Sequence, residues 1–226
     1  MSSAPVGPGE GVSILGILSQ AVEATRKMKA PLVFVTLLYL ASYLTGWYLI
    51  SIKSPIAIET ARGVSESVLT EKPFTTILQS LRGGELANAI LVTFLLNLIV
   101  GAFLSTTLPG VIPLVGALVP VGVTVLRGFA VGVTYPEVLA SSTVGFVLGF
   151  GTMVLELGAY VFSSAAGIHV ALAPIMPRRC GAQSRRAAFK MALKDAARVY
   201  VIVVILLALG AVWEMTLLFL ALLHAA

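Results

Sequence analysis

The longest stretch without a charged side chain is the feature that most constrains this sequence. Residues 86–126 contain no Asp, Glu, Lys or Arg over 41 positions. A helix needs about 20 apolar residues to cross the roughly 30 Å hydrocarbon core of a bilayer, so this run is long enough for two crossings. The whole chain of 226 residues is 58% hydrophobic and only 11% charged, a balance that excludes a soluble domain. We therefore predict an all-α, polytopic helical membrane protein.

Five membrane spans are predicted from runs of this kind. Pro109, Gly110 and Pro113 supply the turn inside the longest run, and Pro31 opens the first span. The run 138–173 is 36 residues long and holds a single charge, Glu156, so it is longer than one crossing requires. It is interpreted as one long tilted helix, a helix with an interfacial tail, or a helix broken at a glycine. The predicted spans are 30–52, 86–108, 111–134, 138–173 and 199–223.

The distribution of basic residues predicts the orientation of these spans. Ten of the 15 basic residues lie in the two segments 26–29 and 177–198. Four spans separate these segments, so both lie on one side, which the positive-inside rule makes the cytoplasm. The amino terminus is then inside and the carboxyl terminus outside, in a multi-pass protein of the cell membrane. A second crossing within 138–173 would put the basic segment outside and is excluded for that reason.

The remaining segments are assigned by their polarity. Residues 12–29 have apolar positions at helical spacing before a basic patch, which predicts an interfacial amphipathic helix. Residues 53–85 carry four basic and four acidic side chains and are predicted to form short helices on the outer surface. Residues 174–198 are interpreted as a basic cytoplasmic loop. Its arginines are expected to contact lipid headgroups, namely Arg178, Arg179, Arg185 and Arg186.

Three charged residues lie inside predicted spans, where each costs at least about 2.5–3.5 kcal/mol to insert. Arg127 and Glu214 lie at similar depths, about 16 and 15 residues from the cytoplasmic ends of their spans, and Glu156 lies near the middle of its segment. We predict that they form a polar cluster together with Asn88 and Asn97 of the second span. Two interpretations remain open for the charges: an ion or proton pathway or binding site, and a structural clasp that neutralises itself. The asparagines are interpreted as substrate contacts or as hydrogen bonds between helices.

Small residues recur at a spacing that favours close helix packing. Gly128 and Gly132 are four residues apart, as are Gly145 and Gly149. Pairs of this kind let two helices approach closely and exchange van der Waals contact. They predict a tightly packed bundle or a helix that binds a partner helix.

Motifs of known catalytic or cofactor-binding chemistry are missing from the sequence. It contains no GxSxG, no HExxH, no Walker A motif and no dinucleotide fingerprint. The lone Cys180 and the isolated His169 do not form a metal-ligand pattern. We expect no enzymatic activity, cofactor or metal. The expected partners are membrane lipids and either other proteins or a second copy of the chain, and no nucleic acid.

The order of features between residues 30 and 173 resembles the stage II sporulation protein M family, integral membrane proteins of sporulating bacteria and of archaea. Two features depart from the family pattern: Arg127 occupies a position where the family usually has Asn, and no Pro-His-Gly element precedes Glu156. The segments that carry the resemblance are 44–46 (LTG), 85–101 (ELANAILVTFLLNLIVG), 126–132 (LRGFAVG), 149–159 (GFGTMVLELGA) and 165–168 (AAGI).

The resemblance implies a helical membrane protein that scaffolds or recruits partners, which in sporulating bacteria are cell-wall hydrolases. Our first hypothesis is therefore a non-enzymatic membrane scaffold or complex subunit. The alternative is a transporter or channel component that uses the intramembrane cluster of Arg127, Glu156 and Glu214.

Overall fold

The computed structural model describes residues 13–225, and this part of the chain is almost entirely helical and contains no strand. Short connections and several changes of helix type divide it into nine α-helices. In chain order they are α1 (Ile14–Lys27), α2 (Lys29–Ser51), α3 (Pro55–Thr70), α4 (Lys72–Arg82), α5 (Leu86–Leu95), α6 (Leu118–Ser141), α7 (Thr143–Thr152), α8 (Gly158–Leu172) and α9 (Arg185–Ala225).

Within the described residues, five helical stretches are long and apolar enough to cross a membrane. This confirms the predicted fold class, a polytopic bundle of about five transmembrane helices. The direction in which the bundle crosses the bilayer stays a prediction. The stretches, numbered span 1 to span 5, are Lys29–Ser51, Leu86–Val111, Val115–Ala140, Gly145–Leu172 and Arg185–Leu223.

Span 2 changes its winding partway across. It begins as α5, continues as a π-helix over Leu96–Thr107, and ends in a short 3-10 turn over Leu108–Val111. The chain then reverses near Leu114, whose φ of 66° is in the left-handed region and whose N–H donates to the Ala171 carbonyl at 3.1 Å. The reversal thus follows Pro113 and is tied to the end of span 4, whereas Pro109 and Val111, predicted to lie in the turn and at the start of span 3, belong to the end of span 2.

The boundary between spans 3 and 4 differs from the predicted one. Helix α6 continues through Pro136 to Ser141, so residues 138–141 end span 3 rather than begin span 4. Ser142 is extended, and its side-chain oxygen accepts from the Gly145 N–H at 3.0 Å, which caps α7. The long run 138–173 is therefore divided at a capping serine and not at a glycine. Beyond the cap, α7, a π-helical turn over Met153–Leu157 and α8 follow one another without interruption.

The last helix also departs from the prediction, because the basic segment 174–198 is only partly a loop. Helix α9 contains 41 residues and is about 60 Å long at about 1.5 Å per residue, twice the thickness of the hydrocarbon core. Its first turns, which hold most of the basic residues, are therefore an extension of span 5 and not a connecting loop.

Helix α1 packs against this extension. Ser13 caps α1 by accepting from the Gly16 N–H at 3.0 Å. Ala24 and Met28 are buried in the same apolar core as Ala188 and Ala192 of α9. Helix α1 thus falls within the predicted range 12–29 and contacts the core through Ala24 and Met28, whereas Ile14 and Leu15 are 76% and 79% exposed. Its interfacial position stays a prediction, and Val12 lies outside the described residues.

Close contact between spans 1 and 3 depends on glycine. A Cβ added to Gly128 would lie 2.8 Å from the Ser42 Cβ, and one added to Gly132 would collide with the Tyr43 carbonyl oxygen. The first predicted glycine pair is thus used inside the bundle, where it allows α2 and α6 to touch along their backbones. Of the second pair, Gly149 faces Leu139 of α6, and the Gly145 N–H is held by the Ser142 cap.

Candidate intramembrane polar site

The three charged residues inside the spans border one cavity. Arg127 comes from α6, Glu156 from the π-helical turn before α8, and Glu214 from α9. All three line a cavity of about 530 Å³, which Asn97 of span 2 and Tyr160 of α8 also line. Arg127, Glu156, Glu214 and Asn97 thus lie around one cavity, to which four of the five spans contribute.

Two π-helical segments position the donors and acceptors of this site. Asn97 lies in the π-helix of span 2 and Glu156 in the π-helical turn of span 4, and the Asn97 Nδ2 donates to the Glu156 Oε1 at 2.6 Å. A π-turn adds a residue to the helical repeat and redirects the side chains that follow, which is why such turns often occur at functional sites. Sequence periodicity offered no signal for either segment.

Arg127 is held by neutral groups and not by a carboxylate. Its Nη2 donates to the Ser105 Oγ at 3.1 Å, and its guanidinium carbon lies 4.1 Å from the centre of the Tyr160 ring. Stacking on an aromatic face stabilises a cation without neutralising it. The buried Nη1 has no hydrogen-bond partner in the described part of the protein.

The two glutamates come together at the contact between span 4 and α9. A Cβ added to Gly210 would lie 3.4 Å from the Glu156 Cγ, so Glu156 rests on this face of α9. Glu214 follows Gly210 by four residues and therefore points from the same helix face. Among the described residues, neither glutamate forms a salt bridge with a basic side chain. The three charges thus share one cavity without a direct ion pair between described residues.

A second cavity meets the first at three side chains. It has a volume of about 210 Å³ and is lined by Tyr135 and Thr152 together with Arg127, Glu156 and Tyr160, the three residues that also line the larger cavity. Thr152 in the smaller cavity and Thr93 in the larger one have buried hydroxyls without a partner in the described part of the chain. Buried polar groups of this kind are normally satisfied by water or a ligand.

Helix α4 covers one side of the larger cavity. Phe74, Ile77 and Leu81 line the cavity. Asn88 donates through Nδ2 to the Ser80 Oγ at 2.8 Å and so ties the start of span 2 to α4. Asn88 is therefore separate from the polar cluster in which it was predicted, because it lies two turns nearer the predicted outer surface than Asn97.

A further group of charged residues, centred on a buried aspartate, was not predicted. Asp195 of α9 is buried, and one of its carboxylate oxygens lies 3.2 Å from the Lys27 Nζ and 3.5 Å from the Arg198 Nη1. The other lies 3.9 Å from the His169 Nε2. The sequence signal that could have predicted it is a single acidic residue within a basic segment. A buried carboxylate needs neighbouring cations, and such a segment supplies them.

The predicted headgroup arginines lie around the same end of the bundle. Arg178 is exposed in the turn Pro177–Cys180, and Arg185 and Arg186 are exposed in the first turn of α9. The side chain of Arg179 lies outside the described part of the structure. No three His, Cys, Asp or Glu side chains of the described residues are grouped so that they could hold a metal ion.

These observations define a polytopic helical membrane protein with a charged cavity inside its bundle. Within that class, the sequence matches the family model of stage II sporulation protein M over residues 35–217, and the chain belongs to this family. The matched region contains all of the cavity-lining charges. No curated protein and no solved structure matches the chain.

Proposed function

We propose that this protein is a non-enzymatic component of a transporter or channel of the cell membrane, and that it binds a small cation or a positively charged polar solute in the cavity between its spans. The observation that carries this proposal is that Glu156 and Glu214 border the cavity and form no salt bridge with any described residue. Charges inside a bilayer are costly, and those that face a cavity commonly mark solute or ion pathways.

The charge of the cavity favours a cation. Three carboxylates line it, those of Glu71, Glu156 and Glu214, against the single cation Arg127, so the lining is net negative when these groups are ionised. The Arg127 guanidinium is turned toward Tyr160 and Ser105, which leaves the carboxylates as the acceptors available to a cation. The Glu156 carboxylate, of which Asn97 engages one oxygen, and the Thr93 hydroxyl supply ligand positions of the oxygen type.

The meeting of the two cavities supports passage as well as binding. Arg127, Glu156 and Tyr160 border both, so a movement of any of these side chains alters the connection between them. This arrangement suits a gate in which the π-helical turn that carries Glu156 would move.

A flux measurement on the purified protein in liposomes tests the proposal. Glu156→Gln and Glu214→Gln each remove one carboxylate charge from the cavity with little change in shape. Each is expected to reduce cation flux at least about tenfold, which corresponds to a loss of about 1.4 kcal/mol in the binding free energy of the cation. Glu137→Gln is the matched control, since Glu137 is exposed near the end of α6 and does not line the cavity. Flux that is unchanged in both cavity variants, or absent from the well-folded parent, contradicts the proposal.

A second candidate is the scaffold or complex subunit implied by the family resemblance, with other proteins or a second copy as partner. The supporting observation is that α3, outside the spans, carries exposed apolar side chains, including Ile56 and Leu69, which are 67% and 68% exposed. Ile56→Asp is expected to abolish co-purification of a specific partner, whereas Glu66→Asp on the same helix preserves it. A partner retained by Ile56→Asp contradicts this use of α3.

A further inference from the structure

A groove at the other end of the bundle is independent of the charged cavity. It has a volume of about 430 Å³ and lies where α1 ends, α6 begins and α8 ends. Its walls are almost wholly apolar. The wall residues that carry the argument are Pro31 and Phe34 of span 1, Leu118 and Val121 of span 3, and Leu172 of span 4.

The groove is open along walls that face outward from the bundle. Phe34 is 49% exposed and Leu118 is 67% exposed, and both belong to membrane-spanning stretches. Exposed apolar side chains of a membrane-spanning stretch contact lipid acyl chains, because these chains form the apolar interior of the bilayer. The groove therefore has the shape and the surroundings of an acyl-chain site.

Polar groups are confined to one end of the groove. Lys27 and His169 line it there, and the buried His169 Nε2 has no hydrogen-bond partner in the described chain. The Lys27 Nζ lies 3.2 Å from the Asp195 carboxylate and 3.6 Å from that of Glu23, and Arg198 contacts the same Asp195 carboxylate. The Lys27 side chain is 42% exposed and still has donor positions to offer.

The surroundings of that end are strongly basic. Segments 23–29 and 173–198 together carry ten basic and two acidic residues. An anion is therefore attracted to the mouth of the groove, whereas a cationic or acyl-only ligand gains nothing from it.

We propose that this groove binds one phospholipid with an anionic headgroup. One acyl chain lies along Phe34, Leu118 and Val121, and the phosphate accepts a hydrogen bond from the Lys27 Nζ. The His169 imidazole borders the groove between them. The lipid would join α1, span 1, span 3 and span 4 at one end of the bundle.

Native mass spectrometry of the full chain released from detergent with added lipid tests this. The probes are phosphatidylglycerol, phosphatidylcholine and the soluble headgroup glycerol phosphate. Ala30→Phe fills the groove from an exposed wall position, and Ala41→Phe makes the same change at an exposed position of the same helix that does not line the groove. We expect one phosphatidylglycerol to be retained by the parent and by Ala41→Phe. We expect about tenfold less retention by Ala30→Phe, as when about two buried methylene groups are displaced.

A second pair of variants keeps the test valid if Ala30→Phe does not fold. Leu118→Trp fills the opposite wall, and Leu126→Trp is its control on the same helix, at 70% exposure and away from the groove. Equal retention of phosphatidylglycerol and phosphatidylcholine by the parent would overturn the headgroup assignment. Retention by the groove-filled variants equal to that of their controls would overturn the site, and binding of glycerol phosphate alone would overturn the role of the acyl chain.

Discussion

The Asn97 side chain donates a hydrogen bond of 2.6 Å to the Glu156 carboxylate, and both residues lie in π-helical segments of different spans. This bond holds one carboxylate oxygen of Glu156, a residue that lines the cavity. It therefore determines how Glu156 is oriented within the charged site.

Replacing Asn97 by leucine is expected to lower both stability and flux. The substitution removes the donor and leaves a partly buried carboxylate oxygen unsatisfied, which costs about 1–3 kcal/mol. Thermal unfolding in detergent measures the stability effect. The matched control is Asn88→Leu. The exposed Asn88 side chain donates a hydrogen bond to Ser80, and we expect the loss of this bond to cost less than about 1 kcal/mol of unfolding free energy. Equal effects of the two substitutions would contradict the role given to Asn97.

Arg127→Lys is expected to impair the site although it keeps the charge. A lysine cannot reproduce both the stacking on Tyr160 and the hydrogen bond to Ser105, since it lacks the planar guanidinium. We expect a loss of about 0.5–2 kcal/mol of unfolding free energy, the range for a partly desolvated cation–π contact. Thermal unfolding again provides the measurement. The control is Arg82→Lys, at an exposed position at the end of α4, which is expected to leave the unfolding free energy unchanged. An unchanged unfolding free energy for Arg127→Lys as well would show that the contact with the Tyr160 ring contributes nothing.

The contact between spans 1 and 3 predicts opposite outcomes for two glycines of α6. Gly132→Ala places a methyl group against the Tyr43 carbonyl and must separate the helices, so we expect a destabilisation of about 1–3 kcal/mol. Gly122→Ala meets no atom within 4 Å and is expected to stabilise the helix by about 0.5–1 kcal/mol. Both are checked by thermal unfolding of the purified variants. A stabilising Gly132→Ala would mean that α2 and α6 lie farther apart than described.

Cysteine labelling tests the predicted orientation. Cys180 is expected to react with a membrane-impermeant maleimide only after the cells are permeabilised. In a Cys180→Ser background, Ser65→Cys is expected to react in intact cells, because Ser65 is exposed on α3. Labelling of both positions from the same side would contradict an odd number of crossings between them.

The reactivity of Cys180 is also expected to depend on pH. Burial raises the pKa of the Cys180 thiol above its usual value, and the nearby Asp195 carboxylate raises it further. Because the thiolate is the reactive form, labelling of Cys180 should be slow at neutral pH and should accelerate at a higher pH than for a free thiol. The exposed thiol introduced by Ser65→Cys provides the comparison; a faster reaction at Cys180 in neutral solution would contradict the burial.

The sequence predicted what depends on hydrophobic run length and on the cost of buried charge. The number of spans follows from runs such as 86–126, and the grouping of Arg127 with Glu156 and Glu214 follows from their depths. The sequence did not predict details fixed by local hydrogen bonding. The serine cap at Ser142 and the π-helix containing Asn97 leave no mark on periodicity, and the bond between Asn88 and Ser80 requires knowledge of where α4 lies.

Helix α9 carries Asp195 near one end and Glu214 near the other without a break in its winding. The two residues are 19 positions apart, or about 28 Å along the axis. A continuous rod of this length pivots as a unit, so a tilt imposed at the Asp195 end must shift Glu214 as well. The geometry thus makes the two ends of the molecule mechanically dependent on each other.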